Sequence, residues 1–144
     1  MPHDIRRLTI ADYGDMIRVW SDAGLPFKPL GRESRESLAQ EMANSDCAFF
    51  GLYEQGKLIG VCIANWDGRR GWINRLAIDP DFRGRRLAGE LIRLCEQFLE
   101  SKGAMVIAAL IEDENLPSMT AFEKSGFSCL PEIKYFSKRK SADA

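Results

Sequence analysis

The residues best equipped for chemistry lie in one stretch, Leu76 to Gly89, reading LAIDPDFRGRRLAG. An apolar, strand-like run meets a turn punctuated by Pro80, then a helix entrance carrying Arg83, Arg85 and Arg86. A helix start leaves backbone N–H groups without internal partners and carries the positive end of the helix dipole, so an anionic phosphate is a natural guest there. Gly84, Ala88 and Gly89 are small enough to let backbone approach a bulky pyrophosphate, and the amides from Arg83 through Leu87 to Ala88 can point at its oxygens. The P-loop pattern G-x-x-x-x-G-K-[ST] and the dinucleotide fingerprint G-x-G-x-x-G are both absent, which removes the main support for nucleoside triphosphates and NAD. Taken alone, the stretch is equally well read as a turn followed by a solvated basic helix start.

Nucleophilic and metal chemistry have little support. Cys47, Cys62, Cys95 and Cys129 are widely spaced without a C-x-x-C pair, and the single histidine is His3. A thiolate needs a base beside it, and a metal site or disulfide framework needs ligands at closer, paired spacing. Inert thiols and no metal are the expectation. With 144 residues, 45% of them hydrophobic and 28% charged, the chain fits one soluble domain with one sizeable core. A net charge of −1 speaks against a general nucleic-acid or membrane-surface binder. No apolar run approaches the roughly 20 residues of a membrane helix, and the N-terminus lacks a signal-peptide core. A single cytoplasmic domain over residues 1–144 is expected, with a flexible polar tail over 138–144.

The elements that must position these residues alternate along the chain. Ile5 to Ile10 reads as a strand. Asp12 caps a helix with Met16, Ile17, Val19 and Trp20 at helical spacing, ended by Gly24 and Pro26. Ser34 to Ala43 reads as a short helix. Cys47 to Tyr53 and Leu58 to Trp66 read as strands joined at Gln55-Gly56, and Asp67-Gly68 turns into a strand from Trp72 to Asp79. Leu87, Leu91, Leu94, Cys95 and Phe98 share one face of a helix that stops at Lys102-Gly103. Ala104 to Ile111, almost wholly apolar, suits a strand covered on both faces. Asn115 caps a helix with Pro117 in its first turn, closed by Ser125-Gly126, and final strands are expected at Phe127 to Leu130 and Ile133 to Ser137. Antiparallel strands first and β-α-β-α-β afterwards predict an α/β domain with a mixed sheet covered by helices on both sides.

The segment Arg83-Gly84-Arg85-Arg86-Leu87-Ala88 resembles the acyl-CoA loop of the GNAT superfamily of N-acetyltransferases, [Q/R]-x-x-G-x-[G/A]. The resemblance extends over nearly the whole chain: the opening IRRLTIADYGDMIRVW, the hairpin around YEQGKLIG, the LAIDPDFRG approach, and the closing pattern from Asn115 through FEKSGF to Phe127. The segments VWSDAGLP and WDGRRGW are most similar to small bacterial YpeA-type acetyltransferases. The resemblance implies a mixed, mostly antiparallel sheet of six to seven strands flanked by about four helices, with a splayed parallel strand pair at its centre. It also implies acetyl-CoA as cosubstrate. The backbone of Leu76, Ala77 and Ile78 would meet the pantetheine arm, and an N–H there would polarise the thioester carbonyl as negative charge develops on its oxygen. Asn115 resembles the asparagine that hydrogen-bonds the same arm; its role as a helix N-cap is equally credible, and one side chain does not easily do both.

The chain departs from the family pattern at three positions. Arg86 stands where glycine is usual. Its side chain is tolerable with helical backbone angles, and the guanidinium of Arg85 or Arg86 can reach a CoA phosphate, or simply be a solvated charge. Phe122 stands beside the cofactor where the family's tyrosine protonates the leaving thiolate, and a phenyl ring has no proton to give. Tyr135 is the substitute to test first. The base position of some relatives falls on Leu110; Glu112, two residues on and on the same strand face if the strand continues, is preferred over Asp113 and Glu114. Solvated acidic-loop and core or surface tyrosine roles account for Glu112 and Tyr135 as well.

The acceptor is expected to meet the first two helices, the loop Leu25 to Gly31 and the hairpin Asp67 to Gly71. Trp20, Phe27, Trp66 and Trp72 can line its pocket or sit in the core, and Arg69 and Arg70 can attract an acidic acceptor or lie solvated. The reading is an N-acetyltransferase, monomer or homodimer, acting on a primary amine of a small molecule or a protein by direct attack. The competing reading is a GNAT-fold CoA sensor without useful turnover, motivated by Arg86, Leu110 and Phe122.

Overall fold

A computed structural model describes residues 3–144. Five strands form one sheet in chain order: β1 (Asp4–Arg7), β2 (Cys47–Glu54), β3 (Lys57–Trp66), β4 (Gly71–Ile78) and β5 (Ile107–Ala108). Pairings are antiparallel except the last, β4 with β5, which is parallel. Helices α1 (Tyr13–Asp22), α2 (Arg35–Ala43), α3 (Leu87–Ser101) and α4 (Leu116–Lys124) cover both faces. The β2–β3 turn places Gln55 and Gly56 at positive φ, 52° and 80°, the twist that suits a two-residue hairpin.

Alternation along β3 divides the core. Val61 and Ile63 face α1 and α2 and pack with Met16, Val19, Trp20 and Leu38. Cys62 and Ala64 face α3 and α4 and pack with Leu91, Ile92, Leu99 and Phe122. Each such Leu or Ile contributes about 2 kcal/mol relative to exposure. A Cβ on Gly71 would lie 2.8 Å from a Leu99 methyl, so this glycine is what lets α3 sit against the start of β4.

The feature that shapes the site is a bulge in β4. Val61 pairs with Ala77 and Ile63 with Asn74, so an extra residue stands opposite Cys62. Arg75 absorbs it in the left-handed region, φ 58°. A bulge bends its strand, and β4 meets β5 only at Gly71–Ile107 and Trp72–Ala108 before the two part. The parallel pair is therefore splayed, and among the described residues it lies at the edge of the sheet, not at the centre as expected.

Two expectations are corrected. The sheet has five strands among the described residues, not six to seven. The strand expected over Ala104 to Ile111 is reduced to Ile107–Ala108, because β4 offers it a ladder only at its first two residues. It is not covered on both faces either: Met105 is 93% exposed and Val106 and Leu110 are exposed. The segments 127–130 and 133–137 follow no ladder, interrupted by the Pro131-Glu132 turn and exposed at Leu130, Ile133 and Phe136. Beyond them the chain returns to the loop before α2, where the Lys28 ammonium donates to the Ala142 carbonyl at 2.9 Å.

Candidate active site

The end of β4 is fixed first. Asp79 is buried and accepts from the Asp81 amide at 3.0 Å, with Lys57 Nζ at 3.4 Å and an Arg18 nitrogen at 3.8 Å from its other oxygen. A short 3-10 turn, Pro80–Phe82, then leads into the loop before α3. Gly84 has φ 80° and Arg86, the residue before α3, has φ 62° and ψ 21° with no side-chain cap. This geometry leaves the amides of residues 84–89 without acceptors elsewhere among the described residues, all at the positive end of a long helix. A Cβ on Gly84 or Gly89 would meet nothing within 4 Å, so both leave open space beside those amides.

The arginines divide. Arg85 turns away from the cleft onto Glu54 at 2.6 Å, with its guanidinium 5.0 Å from the Phe82 ring centre. Arg83 donates to the Ala23 carbonyl at 3.3 Å, tying the loop to the end of α1. Arg86 makes no side-chain hydrogen bond or ion pair among the described residues. It adopts left-handed angles, not the helical ones expected for a tolerated side chain, at a cost of about 1 kcal/mol.

These groups open onto a cleft of about 1320 Å³ between the parted strands, walled by Leu76, Ala77 and Ile78 on one side and by residues of α4 on the other. Behind it lies a smaller chamber of about 370 Å³. The two share Leu25, Leu76, Glu112, Asn115 and Ser118, so they adjoin at these residues. Glu112 stands at this junction, whereas Tyr135, largely exposed, borders only the small chamber. Phe122 is buried beneath the junction and packs edge-on against Phe127 at 5.0 Å.

Asn115 caps a helix and keeps a free donor. Its Oδ1 accepts from the Ser118 amide at 3.3 Å, capping α4, and its Nδ2 has no partner among the described residues while the residue borders both chambers. A carboxamide has a separate acceptor and donor, so the cap leaves the amide nitrogen available.

Of the four aromatics considered for the acceptor end, Trp20 alone reaches the small chamber. Trp66 packs on the α3 side of the core, Phe27 on the α1 side, and Trp72 donates to Asp67 at 2.9 Å. The loop before α2 contributes Leu25, Arg32 and Glu33; the hairpin Asp67 to Gly71 does not reach the chamber. Sequence reasoning missed Ser118, Arg75 and Glu33. Ser118 lies one helical turn before Phe122, a spacing that marked its face; the other two carry no such signal. The thiols of Cys47, Cys62 and Cys95 are buried and Cys129 is exposed. Burial, with Glu41 beside it, pushes Cys47 up to about 12, far from thiolate chemistry.

A profile of the acetyltransferase (GNAT) family matches residues 14–127. The chain is 25% identical over 137 residues to the acetyltransferase SG1711 of Sodalis glossinidius (strain morsitans), covering 94% of this chain and 88% of that protein. Among solved structures it resembles the PaiA N-acetyltransferase of Thermoplasma acidophilum in complex with coenzyme A, with TM-score 0.77 and 22% identity over 89% of this chain and 91% of the other. It also resembles AAC(6')-Iy bound to a bisubstrate analogue, TM-score 0.79 and 19% identity over 96% and 99% of the two chains. With the profile running from α1 to just beyond α4, across the bulged strand and the amide-lined loop, the chain belongs to the GNAT family of acetyltransferases and is an acyltransferase.

Proposed function

We propose that the protein is an acetyl-CoA-dependent N-acetyltransferase in which a bound primary amine attacks the thioester directly. The observation that carries this reading is the set of unpaired amides over residues 84–89 facing a cleft that adjoins a second chamber. The residues fit the cosubstrate: glycines 84 and 89 leave room for a pyrophosphate, and the open edge of β4 at Leu76 to Ile78 offers backbone groups to an extended pantetheine arm. Acetyl-CoA supplies a thioester whose acetyl carbon accepts the amine nitrogen as its C–S bond breaks.

The chain's own groups then have defined work. The N–H groups on the open edge of β4 stabilise the oxygen that becomes negative. Glu112, at the junction, takes one proton from the incoming ammonium, and the second leaves the nitrogen for the departing thiolate. With Phe122 in the acid position, that second proton reaches the thiolate by relay through solvent or through the Tyr135 hydroxyl. A thiol of pKa about 8.5 leaves without strong assistance, so turnover survives the missing hydroxyl.

Phe122 also favours a second reading, a CoA-binding domain with negligible turnover. A thermal-shift series with acetyl-CoA, followed by thiol release over an amine panel, separates the two. Stabilisation with release, and about a hundredfold lower kcat/KM in Glu112→Gln, supports the transferase. Stabilisation without release on any amine leaves the sensor, and no stabilisation by acetyl-CoA sinks both.

A further inference from the structure

The small chamber holds a side chain that the transfer chemistry leaves unused. Arg75 occupies the β4 bulge, and its guanidinium carbon lies 4.6 Å from the Trp20 ring centre while the Trp20 indole donates back to the Arg75 carbonyl at 3.3 Å. Stacking fixes the guanidinium plane from one face. Its Nε and Nη2 are both buried and neither has a hydrogen-bond partner. Those two nitrogens present parallel N–H bonds along one edge of the guanidinium, the edge that grips a carboxylate side-on with two hydrogen bonds. Buried unpartnered donors on a permanently charged group are costly, so this edge is built for something the protein itself does not supply.

The surrounding charges do not satisfy it. Glu33 is buried nearby, but it accepts from the Lys28 amide at 2.7 Å and lies 3.5 Å from Arg32 Nε, and it forms no ion pair with Arg75 within 4.0 Å. Glu41 accepts from Asn65 at 2.9 Å. Arg32 and Arg139 border the same chamber, as do Glu33, Glu41 and Glu112. Burial lowers the Arg75 pKa, Glu33 opposes the shift and Arg32 adds to it, yet an arginine so far from neutrality stays charged. At about 370 Å³ the chamber accommodates an amino-acid-sized molecule, not an oligosaccharide or a folded protein terminus.

We propose that the acceptor is a small amine bearing a carboxylate, paired with the Arg75 guanidinium so that its amino group points through the junction at Glu112 toward the thioester. This rests on the acetyl-transfer reading above.

The test uses the full chain and matched acceptors: single amino acids, the amines that remain when their carboxylate is removed, and phosphate-bearing amines such as ethanolamine phosphate. Thiol release gives kcat/KM for each, and thermal shift of the acetyl-CoA complex measures acceptor binding independently of turnover. The expected result is at least tenfold higher kcat/KM for a carboxylated amine than for its decarboxylated partner, a ratio that collapses in Arg75→Gln and is partly restored in Arg75→Lys. Retained stabilisation by acetyl-CoA in both variants shows that they fold. Equal rates for the matched pairs, a preference for phosphate-bearing or polycationic amines, or a ratio unmoved by Arg75→Gln overturns the proposal. If carboxylated amines bind through Arg75 but release no thiol, the anion site stands and the transferase reading fails. If no carboxylated amine binds or reacts, the anion site fails whatever other amines do.

Discussion

Arg85 and Glu54 meet at 2.6 Å across the gap between the α3 entrance and the end of β2. The contact makes this arginine a strut of the loop. Both partners are partly exposed, so Arg85→Ala should cost at most about 1 kcal/mol in a thermal or urea melt. Calorimetric titration with CoA should show less than a fivefold rise in Kd for that variant, whereas Gly84→Glu, which puts charge and bulk into the open space beside the amides, should abolish measurable binding. The reverse ranking would mean that side chains, not amides, hold the cofactor.

Arg86 sits in the left-handed region in the residue before α3, where glycine is free of strain. Arg86→Gly should raise stability by up to about 1 kcal/mol, less whatever the more flexible unfolded chain returns. Its CoA affinity should be equal or higher. A tenfold loss of affinity would instead assign the guanidinium to a phosphate.

Asn115 allows its two functions to be separated. Asn115→Asp keeps an oxygen for the Ser118 amide and removes the donor, so the melting temperature should hold while Kd for CoA rises about tenfold. Asn115→Leu should lose both, with about 1 kcal/mol of stability gone. Equal CoA affinity in wild type and Asn115→Asp would leave the residue a cap only.

The hairpin between β3 and β4 carries a pH-sensitive contact. Asp67 accepts from the Arg70 amide, the Trp72 indole and the Arg69 amide, and these bonds lower its pKa from 3.8 to about 2. A carboxyl with a depressed folded-state pKa stabilises above its ordinary value and loses that contribution as pH falls. The stability difference between wild type and Asp67→Asn should therefore be constant above about pH 5, fall as pH drops toward the folded pKa, and level off by about pH 1. The Trp72 indole N–H resonance should titrate with the same low midpoint; a midpoint near 4 would show that the three bonds do not persist.

Local chemistry made much of this molecule readable in advance. Asp12, Ser34 and Asn115 precede helices, Gln55-Gly56 turns a hairpin, and the small residues after Asp79 mark the loop whose amides stay unpaired among the described residues. Those signals act over a few residues. What escaped detection depends on partners distant in sequence. Ala104 to Ile111 is apolar enough for a full strand, but its length is set by how soon β4 bends away, which is decided at Arg75. The same arginine reads in sequence as one more charge in a strand. Only the bulge turns it inward against Trp20, a residue 55 positions earlier in the chain. The final segments have strand-like composition and no ladder, since an edge two residues long cannot organise them.

The single extra residue in β4 therefore separates two properties that might be expected to evolve together. Where the sheet opens is a matter of backbone count, one residue more on β4 than on β3, whereas what the small chamber admits is a matter of which side chain that residue carries. On the proposed reading, exchange of that side chain would re-address the enzyme to another acceptor while the proposed cofactor seat, built from amides several residues later, stays in place. Deletion of the residue would do the opposite, restoring the ladder to β5 and closing the cleft for every substrate at once.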